Sequence, residues 1–222
     1  MIKNRITDSD LLDVVTFGCR LNAFESEVIK NNNSVDTNTL VFNTCAVTSE
    51  AERQARQAVR KYKKKLPESR IIITGCSAQI NPSSWFNMPE VSGVIGNKDK
   101  LKENIFHESK YAFQVDDIMK VQENTSHMLH AFNNRARAFI EIQNGCNHRC
   151  SFCIIPFARG NSRSVNHFEL IKNIKTLVRE GFNEIVFTGV DIGDYGRDLS
   201  NKITLSKLIR YILNEVPSLN RL

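Results

Sequence analysis

The sequence predicts an α/β fold whose N-terminal part is a parallel-sheet βαβ domain, and three observations carry that expectation. Apolar runs of strand length alternate with helix-patterned stretches. Turn and breaker residues such as Gly18, Pro67 and Gly75 punctuate the runs. After a stretch of weak periodicity near residue 120, the same strand and helix alternation starts again.

Taken in chain order, Leu11-Leu-Asp-Val-Val-Thr-Phe is a strand stopped by the turn Gly18-Cys19. Residues 22–30 have helical composition, and Leu40-Val-Phe-Asn-Thr is the second strand. Ser49-Glu-Ala-Glu52 matches a capping box, so a helix is expected to open there and run to about residue 65, where Pro67 ends it. On that helix Ala51, Ala55, Ala58, Val59, Tyr62 and Leu66 share a face expected to be core. Arg53, Arg56 and Arg60, with Lys63 or Lys64, line another face, which suits either solvent or the phosphates of a nucleic acid. Arg70-Ile-Ile-Ile-Thr74 is the third strand and ends at Gly75-Cys76, while Val94-Ile95 and residues 112–115 are weaker strand candidates. Such a series implies a parallel sheet.

The domain division expected is 8–117, a linker at 118–131, and a second unit at 132–222. In the second unit Ala138-Phe-Ile-Glu-Ile is a strand, and residues 146–156 form a cysteine-bearing loop. Asn166-His-Phe-Glu169 caps a helix with an apolar stripe of Leu170, Ile171, Ile174, Leu177 and Val178, ended by Gly181. Glu184-Ile-Val-Phe-Thr-Gly-Val190 is the next strand, and residues 205–216 form a further amphipathic helix.

The 222 residues, 41% hydrophobic and 24% charged, suffice for a buried core and exclude a disordered chain. No apolar run approaches the length of a membrane span, and the polar start Met1-Ile-Lys-Asn-Arg lacks a secretory signal, so a cytoplasmic protein is expected. In a reducing compartment the six cysteines are ligands or catalysts before they are disulfides. A formal net charge of +6 leans toward a polyanionic partner such as RNA.

Cys146, Cys150 and Cys153 form C-x3-C-x2-C in one loop, a spacing that brings three thiolates to one metal centre. Zinc is one occupant, with His148 as the nearest fourth ligand; an iron–sulfur cluster with one open iron is the other. Cys19, Cys45 and Cys76 are far apart in sequence, yet each follows the end of an expected strand. In a parallel sheet those positions gather at one edge, where open α/β sheets bind ligands. Three inert buried cysteines are the plain alternative.

Cys146-Asn-His-Arg-Cys150-Ser-Phe-Cys153, with Phe152 before the last cysteine, resembles the cluster motif of radical S-adenosylmethionine enzymes. The flanks Arg135-Ala-Arg-Ala-Phe-Ile-Glu-Ile-Gln-Asn-Gly and Ile154-Ile-Pro-Phe-Ala-Arg-Gly-Asn-Ser-Arg-Ser164 resemble the methylthiotransferases, whose N-terminal domain carries three dispersed cysteines matching Cys19, Cys45 and Cys76. Within that family Thr16-Phe-Gly-Cys-Arg-Leu-Asn-Ala-Phe-Glu-Ser-Glu27 and Asn43-Thr-Cys-Ala-Val-Thr-Ser-Glu-Ala-Glu-Arg-Gln-Ala-Arg-Gln57 are similar to the branch acting on N6-threonylcarbamoyladenosine in tRNA. The branches acting on isopentenyladenosine and on a ribosomal protein differ around the first cysteine.

The resemblance implies a radical S-adenosylmethionine partial (β/α) barrel after the first domain, and two 4Fe-4S clusters with S-adenosyl-L-methionine as cofactors. Cys146, Cys150 and Cys153 would hold the cluster that binds and reduces S-adenosylmethionine; Cys19, Cys45 and Cys76 would hold the one that delivers sulfur. The product would be the methylthio group at C2 of the adenosine at position 37, beside the anticodon. A radical suits that bond because a purine C2–H is too weakly acidic for a side-chain base. No catalytic side chain beyond the cluster ligands is expected. Phe152, Thr188, Gly189 and Arg163 match cofactor-binding positions. A strand-ending turn is the plain reading of Thr188 and Gly189, and a solvated or capping role that of Arg163. His107, His127, His130 and His167 are read as ordinary histidines.

The partners implied are tRNA and an electron donor of flavodoxin or ferredoxin type, with no membrane. Members of the family continue into further barrel strands and a small RNA-gripping β domain, so a second polypeptide supplying them is expected. On that expectation the chain alone is aggregation-prone or needs a partner fragment, cannot methylthiolate tRNA without one, and leaves apolar surface of residues 205–216 in water. Rival functions are an iron–sulfur electron carrier or scaffold, and a sulfur-inserting radical enzyme on a small molecule.

Overall fold

The computed structural model describes residues 13–33, 38–107, 113–122 and 137–222. It has two compact units, Met1–Ile118 with Cys150–Arg159, and Met119–Arg149 with Gly160–Leu222. No sequence signal marks Cys150–Arg159 as part of the first unit. Leu11, Leu12, residue 112, most of the expected linker, Arg135, His127 and His130 lie outside the described residues.

The first unit is built from β1 (Asp13–Thr16), α1 (Arg20–Asn32), β2 (Thr39–Thr44), α2 (Ser49–Lys65), β3 (Arg70–Gly75), α3 (Cys76–Ile80), α4 (Pro82–Phe86), β4 (Gly93–Ile95) and β5 (Phe113–Gln114). Among the described residues the strands form one sheet in sequence order, every neighbouring pair parallel. Successive side chains on a strand point to opposite faces, and here both faces are covered. Leu40, Phe42, Ile71, Ile73 and Val94 pack with Ala55 and Val59 of α2 and with Trp85 and Met88. Val14, Val41, Ile72 and Ile95 pack on the other side with Ile29 of α1, Ile105 and Phe106. This is why the strands read as continuous apolar runs rather than as alternating ones.

The expected elements are present, with local differences. The cap of α2 is Thr48, whose hydroxyl accepts the Ala51 backbone N–H at 3.2 Å, not Ser49. Among the face expected to be core, Ala55 and Val59 are buried, while Leu66 stays exposed. The short helices α3 and α4 have no counterpart in the sequence reading, because five residues show no apolar period.

In the second unit β6 (Arg137–Asn144) pairs in parallel with β8 (Glu184–Gly189) and antiparallel with the two-residue β7 (Arg163–Ser164). Helices α6 (His167–Arg179) and α7 (Leu205–Glu215) follow β7 and β8 in the chain. Asn166 caps α6 as expected, accepting the Phe168 N–H at 2.9 Å, and Leu170, Ile171, Ile174 and Leu177 are buried. On α7 Leu208 and Ile212 are fully buried, which corrects the expectation that this face lacks cover; Leu213 remains exposed. Gly181 ends α6 at φ 96°, where a side chain would be strained. The antiparallel β7 is the other departure, since a two-residue strand leaves no pattern to read.

Thr48→Ala is expected to cost about 1 kcal/mol of stability by removing the α2 cap, whereas Ser49→Ala leaves stability within a few tenths. Urea unfolding of the two variants distinguishes the cap positions.

Candidate functional site

Parallel pairing decides where the first three cysteines go. Thr44 of β2 is paired with Gly75 of β3, so Cys45 and Cys76 follow at equivalent positions on neighbouring strands. Thr16 of β1 is paired with Asn43, which carries Gly18 to the level of Cys45. The approach there is close: a Cβ on Gly18 would stand 2.6 Å from Cys45 Cβ and 2.8 Å from its Sγ. Gly18 and Gly75 both have φ near 95°, at 95° and 93°, so the chain can turn sharply before Cys19 and Cys76. Any side chain on Gly75 would also collide with the Thr44 backbone. Cys19 is exposed, and Cys45 and Cys76 are buried.

The electrostatics join the same residues. Burial pushes the Cys45 thiol up, the Val47 backbone N–H pulls against that, and the charges of Cys76 and Cys19 add to the rise. The Val47 N–H points at Cys45 Sγ across 3.5 Å. The Asn22 amide donates to the carbonyls of Phe17 at 2.8 Å and Thr44 at 3.0 Å, tying the segment before Cys19 to the end of β2. Cys19 Sγ lies 4.0 Å from Asn22 Oδ1, and Asn97 Nδ2 lies 4.0 Å from Cys76 Sγ.

Beneath this edge is a buried ion cluster that the sequence reading missed. Glu25 on α1 binds Lys100 at 2.6 Å and Arg159 at 2.8 and 3.0 Å, and all three side chains are essentially closed to solvent. Arg159 ends α5 (Ile155–Arg159), which packs on α3 within the first unit. Burial alone would raise the Glu25 carboxyl, but Arg159 and Lys100 outweigh it and bring it down to about 2. Burial pulls Lys100 down, with Glu25 opposing. Burial also works against the Arg159 charge, but Cys76, Glu25 and Cys19 hold it firmly protonated.

The C-x3-C-x2-C motif divides between the units: Cys146 goes with the second, Cys150 and Cys153 with the first. The Cys153 N–H donates to the Cys150 carbonyl at 3.0 Å, closing a tight turn that leaves Cys150 and Phe152 exposed, Phe152 at 90%. In the second unit the Cys146 N–H donates to the Gly160 carbonyl at 3.0 Å. Gly145, at φ 72°, is required because a side chain there would overlap the Asn161 carbonyl. Buried Gln143 organises this end of β6. Its Nε2 lies within hydrogen-bond distance of the Gly145 carbonyl at 2.7 Å and Ser162 Oγ at 3.0 Å, and its Oε1 accepts the N–H groups of Val190 and Asp191 at 3.1 and 2.8 Å. Nothing in the sequence singles out Gln143, whose partners Val190 and Asp191 lie far along the chain.

Of the remaining expected residues, Thr188 and Gly189 stand at the end of β8, paired with Glu141 and Gln143. A Cβ on Gly189 would lie 2.7 Å from the Gln143 carbonyl, so close strand packing alone requires that glycine. Arg163 is buried in β7, and its Nη1 donates to the Asn161 carbonyl at 2.8 Å, which excludes the solvated role offered as the plain alternative to cofactor binding. His148 Nε2 is 3.2 Å from Asp191 Oδ2. The basic stripe of α2 is engaged at home: Arg53 with Glu50, Arg56 with Glu52 and over the Trp85 ring, Arg60 toward Glu90. The fixed geometry of Arg56 favours the structural reading of that stripe.

Among the described residues no three Cys, His, Asp or Glu side chains are gathered as ligands of a single metal ion. A four-iron cluster takes each thiolate on a different iron, so its donor set is wider than that of one ion. Three thiols on adjacent strand ends, with buried cations in Coulombic reach of Cys19 and Cys76, fit such an anionic cluster. The loop motif fits by donor chemistry, three thiols in eight residues.

Two family models match the chain: the Uncharacterized protein family UPF0004 over residues 12–96, and the Radical SAM superfamily over residues 140–217. It is 49% identical to the threonylcarbamoyladenosine tRNA methylthiotransferase MtaB of Rickettsia prowazekii, over 95% of this chain and 50% of that protein. It is 34% identical to the Bacillus subtilis protein of the same name, over 93% of this chain and 49% of the relative. It is 30% identical to the tRNA-2-methylthio-N(6)-dimethylallyladenosine synthase of Clostridium perfringens, over 96% and 52%. The chain thus spans about half the length of the curated relatives it matches.

Glu25→Gln removes the carboxylate that two buried cations share and is expected to destabilise the protein by about 3–5 kcal/mol in chemical unfolding. The folded Glu25 carboxyl titrates at about 2, below its ordinary 4.5. Its contribution is therefore fully present above pH 4.5 and is lost as the pH falls toward 2. Thermal melts across that window should show a loss of stability that is smaller in Glu25→Gln.

Proposed function

Because the chain belongs to the methylthiotransferase family of radical S-adenosylmethionine proteins, we propose that it takes part in methylthiolation of tRNA, at C2 of N6-threonylcarbamoyladenosine at position 37. The observation that carries this reading is the pairing, in one chain, of the C-x3-C-x2-C loop with three cysteines at adjacent parallel strand ends. An electron carrier or a mononuclear zinc protein has no need of the second set. The proposed site residues are Cys19, Cys45 and Cys76 for one 4Fe-4S cluster and Cys146, Cys150 and Cys153 for the other. Phe152, Thr188, Gly189 and Arg163 are proposed for S-adenosylmethionine. When bound, the clusters and S-adenosylmethionine supply the electron, the radical and the sulfur that no side chain provides.

The protein's own residues hold, orient and shield. At the sheet edge Cys45 and Cys76 are shielded from water, while Cys19 is open to it. Within the second unit Gln143 ties Gly145, the residue before Cys146, to Val190 and Asp191 after β8. Exposed Phe152 offers an apolar surface beside Cys153. No helix among the described residues is long and apolar enough to cross a membrane; the proposed setting is the cytoplasm. tRNA and an electron donor of flavodoxin or ferredoxin type are the proposed partners. The barrel strands and RNA-binding β domain that complete the activity would be carried by a continuation of this polypeptide or by a second one.

Anaerobic reconstitution should give iron and sulfide for two clusters, with Cys45→Ala and Cys150→Ala each retaining one. Stoichiometric zinc without sulfide would overturn the reading. For the substrate, deletion of the gene in its own cell followed by digestion of bulk tRNA should remove the methylthio form of the threonylcarbamoyl nucleoside and leave that of the isopentenyl nucleoside. The reverse pattern assigns the other branch, and no change in either contradicts a tRNA substrate.

A further inference from the structure

Arg159 lies in the same unit as Cys19, Cys45 and Cys76 and ends the segment that begins at Cys150, although its nearest sequence landmark is Cys153 alone. Its guanidinium grips Glu25 through two hydrogen bonds, at 2.8 and 3.0 Å, and donates to Asn22 Oδ1 at 2.6 Å. Asn22 in turn lies 4.0 Å from Cys19 Sγ and holds the Phe17 and Thr44 carbonyls, next to Gly18-Cys19 and Cys45. The residue before it, Ala158, accepts Asn97 Nδ2 at 2.7 Å, and that same amide nitrogen reaches Cys76 Sγ at 4.0 Å. Five and six residues after Cys153, the chain thus sends a carbonyl and then a buried cation to the neighbours of Cys76 and Cys19.

The potential of an iron–sulfur cluster depends on local charge, on hydrogen bonds to its sulfurs and on solvent exposure. Residues that orient or polarise the ligands from behind matter nearly as much as the ligands. A guanidinium suits such a place, since it stays charged when buried and fixes geometry through several donors. The Coulombic reach of Arg159 to Cys76 and Cys19 is consistent with this.

We infer that Arg159 is a positioning residue for the cluster on Cys19, Cys45 and Cys76: it locks the Cys150–Arg159 segment to the sheet edge, and its buried charge raises that cluster's reduction potential. The inference rests on the proposed cluster at those three cysteines. Reduction there adds one electron from the reductant, breaks no bond, and lowers the cluster charge by one. A fixed neighbouring cation favours the reduced form, so its loss lowers the midpoint.

The test uses the full chain with Cys146, Cys150 and Cys153 replaced by alanine, reconstituted anaerobically so that only the sheet-edge cluster can form. Iron and sulfide are assayed, and the midpoint is measured by a dithionite titration followed by electron paramagnetic resonance. In this background Arg159→Gln, which leaves the Glu25–Lys100 pair in place, should lower the midpoint at unchanged cluster content, and Arg159→Lys should restore most of it. Should Arg159→Gln fail to fold, the combination of Glu25→Gln, Lys100→Met and Arg159→Gln empties the buried site of charge, a replacement that buried ion triads tolerate. It is then read with the same two outcomes. A loaded cluster whose midpoint does not move overturns the role of Arg159 and leaves the cluster site standing. No iron or sulfide in the background protein overturns the cluster site, and the role of Arg159 with it.

Discussion

Parallel pairing of β1, β2 and β3 is the constraint from which the rest of the first unit follows. Parallel strands all end on the same side, and their connections return on the sheet faces, so the residues after each strand collect at one edge. The register puts Thr44 beside Gly75 and Thr16 beside Asn43, and the cysteines that follow are neighbours before any side chain is considered. Isoleucine and valine on both faces hold that register, because a slip of one residue would exchange the two buried faces. Gly18 and Gly75 then turn the chain where a side chain would meet Cys45 or the Thr44 backbone.

On the proposed reading the same edge would carry the negative charge of thiolates and iron–sulfide, and a buried group with two cations to one carboxylate lies beneath it. Glu25, Lys100 and Arg159 are buried together, a costly arrangement for charges that have left water. Replacing such a group with apolar side chains would often be neutral for stability, so its presence asks for a reason beyond folding. Contact of Arg159 with Asn22, and of its neighbour Ala158 with Asn97, supplies one. These residues join the loop bearing Cys150 and Cys153 to the edge bearing Cys19 and Cys76.

The architecture was largely legible in the sequence because buried parallel strands are apolar throughout and their ends are marked by glycine. Cys19, Cys45 and Cys76 showed themselves through repetition at strand ends, and the loop cysteines through spacing. What stayed hidden depends on partners distant in sequence. Glu25 sits in a helix of polar composition, and its partners Lys100 and Arg159 are 75 and 134 residues away, so neither burial nor pairing leaves a local pattern. Gln143 is hidden for the same reason, meeting Val190 and Asp191 at separations of 47 and 48. Short elements such as α3, α5 and β7 are below the length at which periodicity speaks. The basic stripe of α2 was visible too, and of its two readings the contacts favour the plain one, since Glu50, Glu52 and the Trp85 ring engage Arg53 and Arg56.

The central claim is that one chain holds two separate iron–sulfur sites, one made by the sheet edge and one by the loop. Diffraction from crystals of the anaerobically reconstituted protein, recorded on either side of the iron absorption edge, tests it directly. The account predicts two separate anomalous iron peaks, one bounded by the sulfurs of Cys19, Cys45 and Cys76 and the other by those of Cys146, Cys150 and Cys153. Iron at the loop alone, with the three strand-end thiols free or bonded to each other, would contradict it.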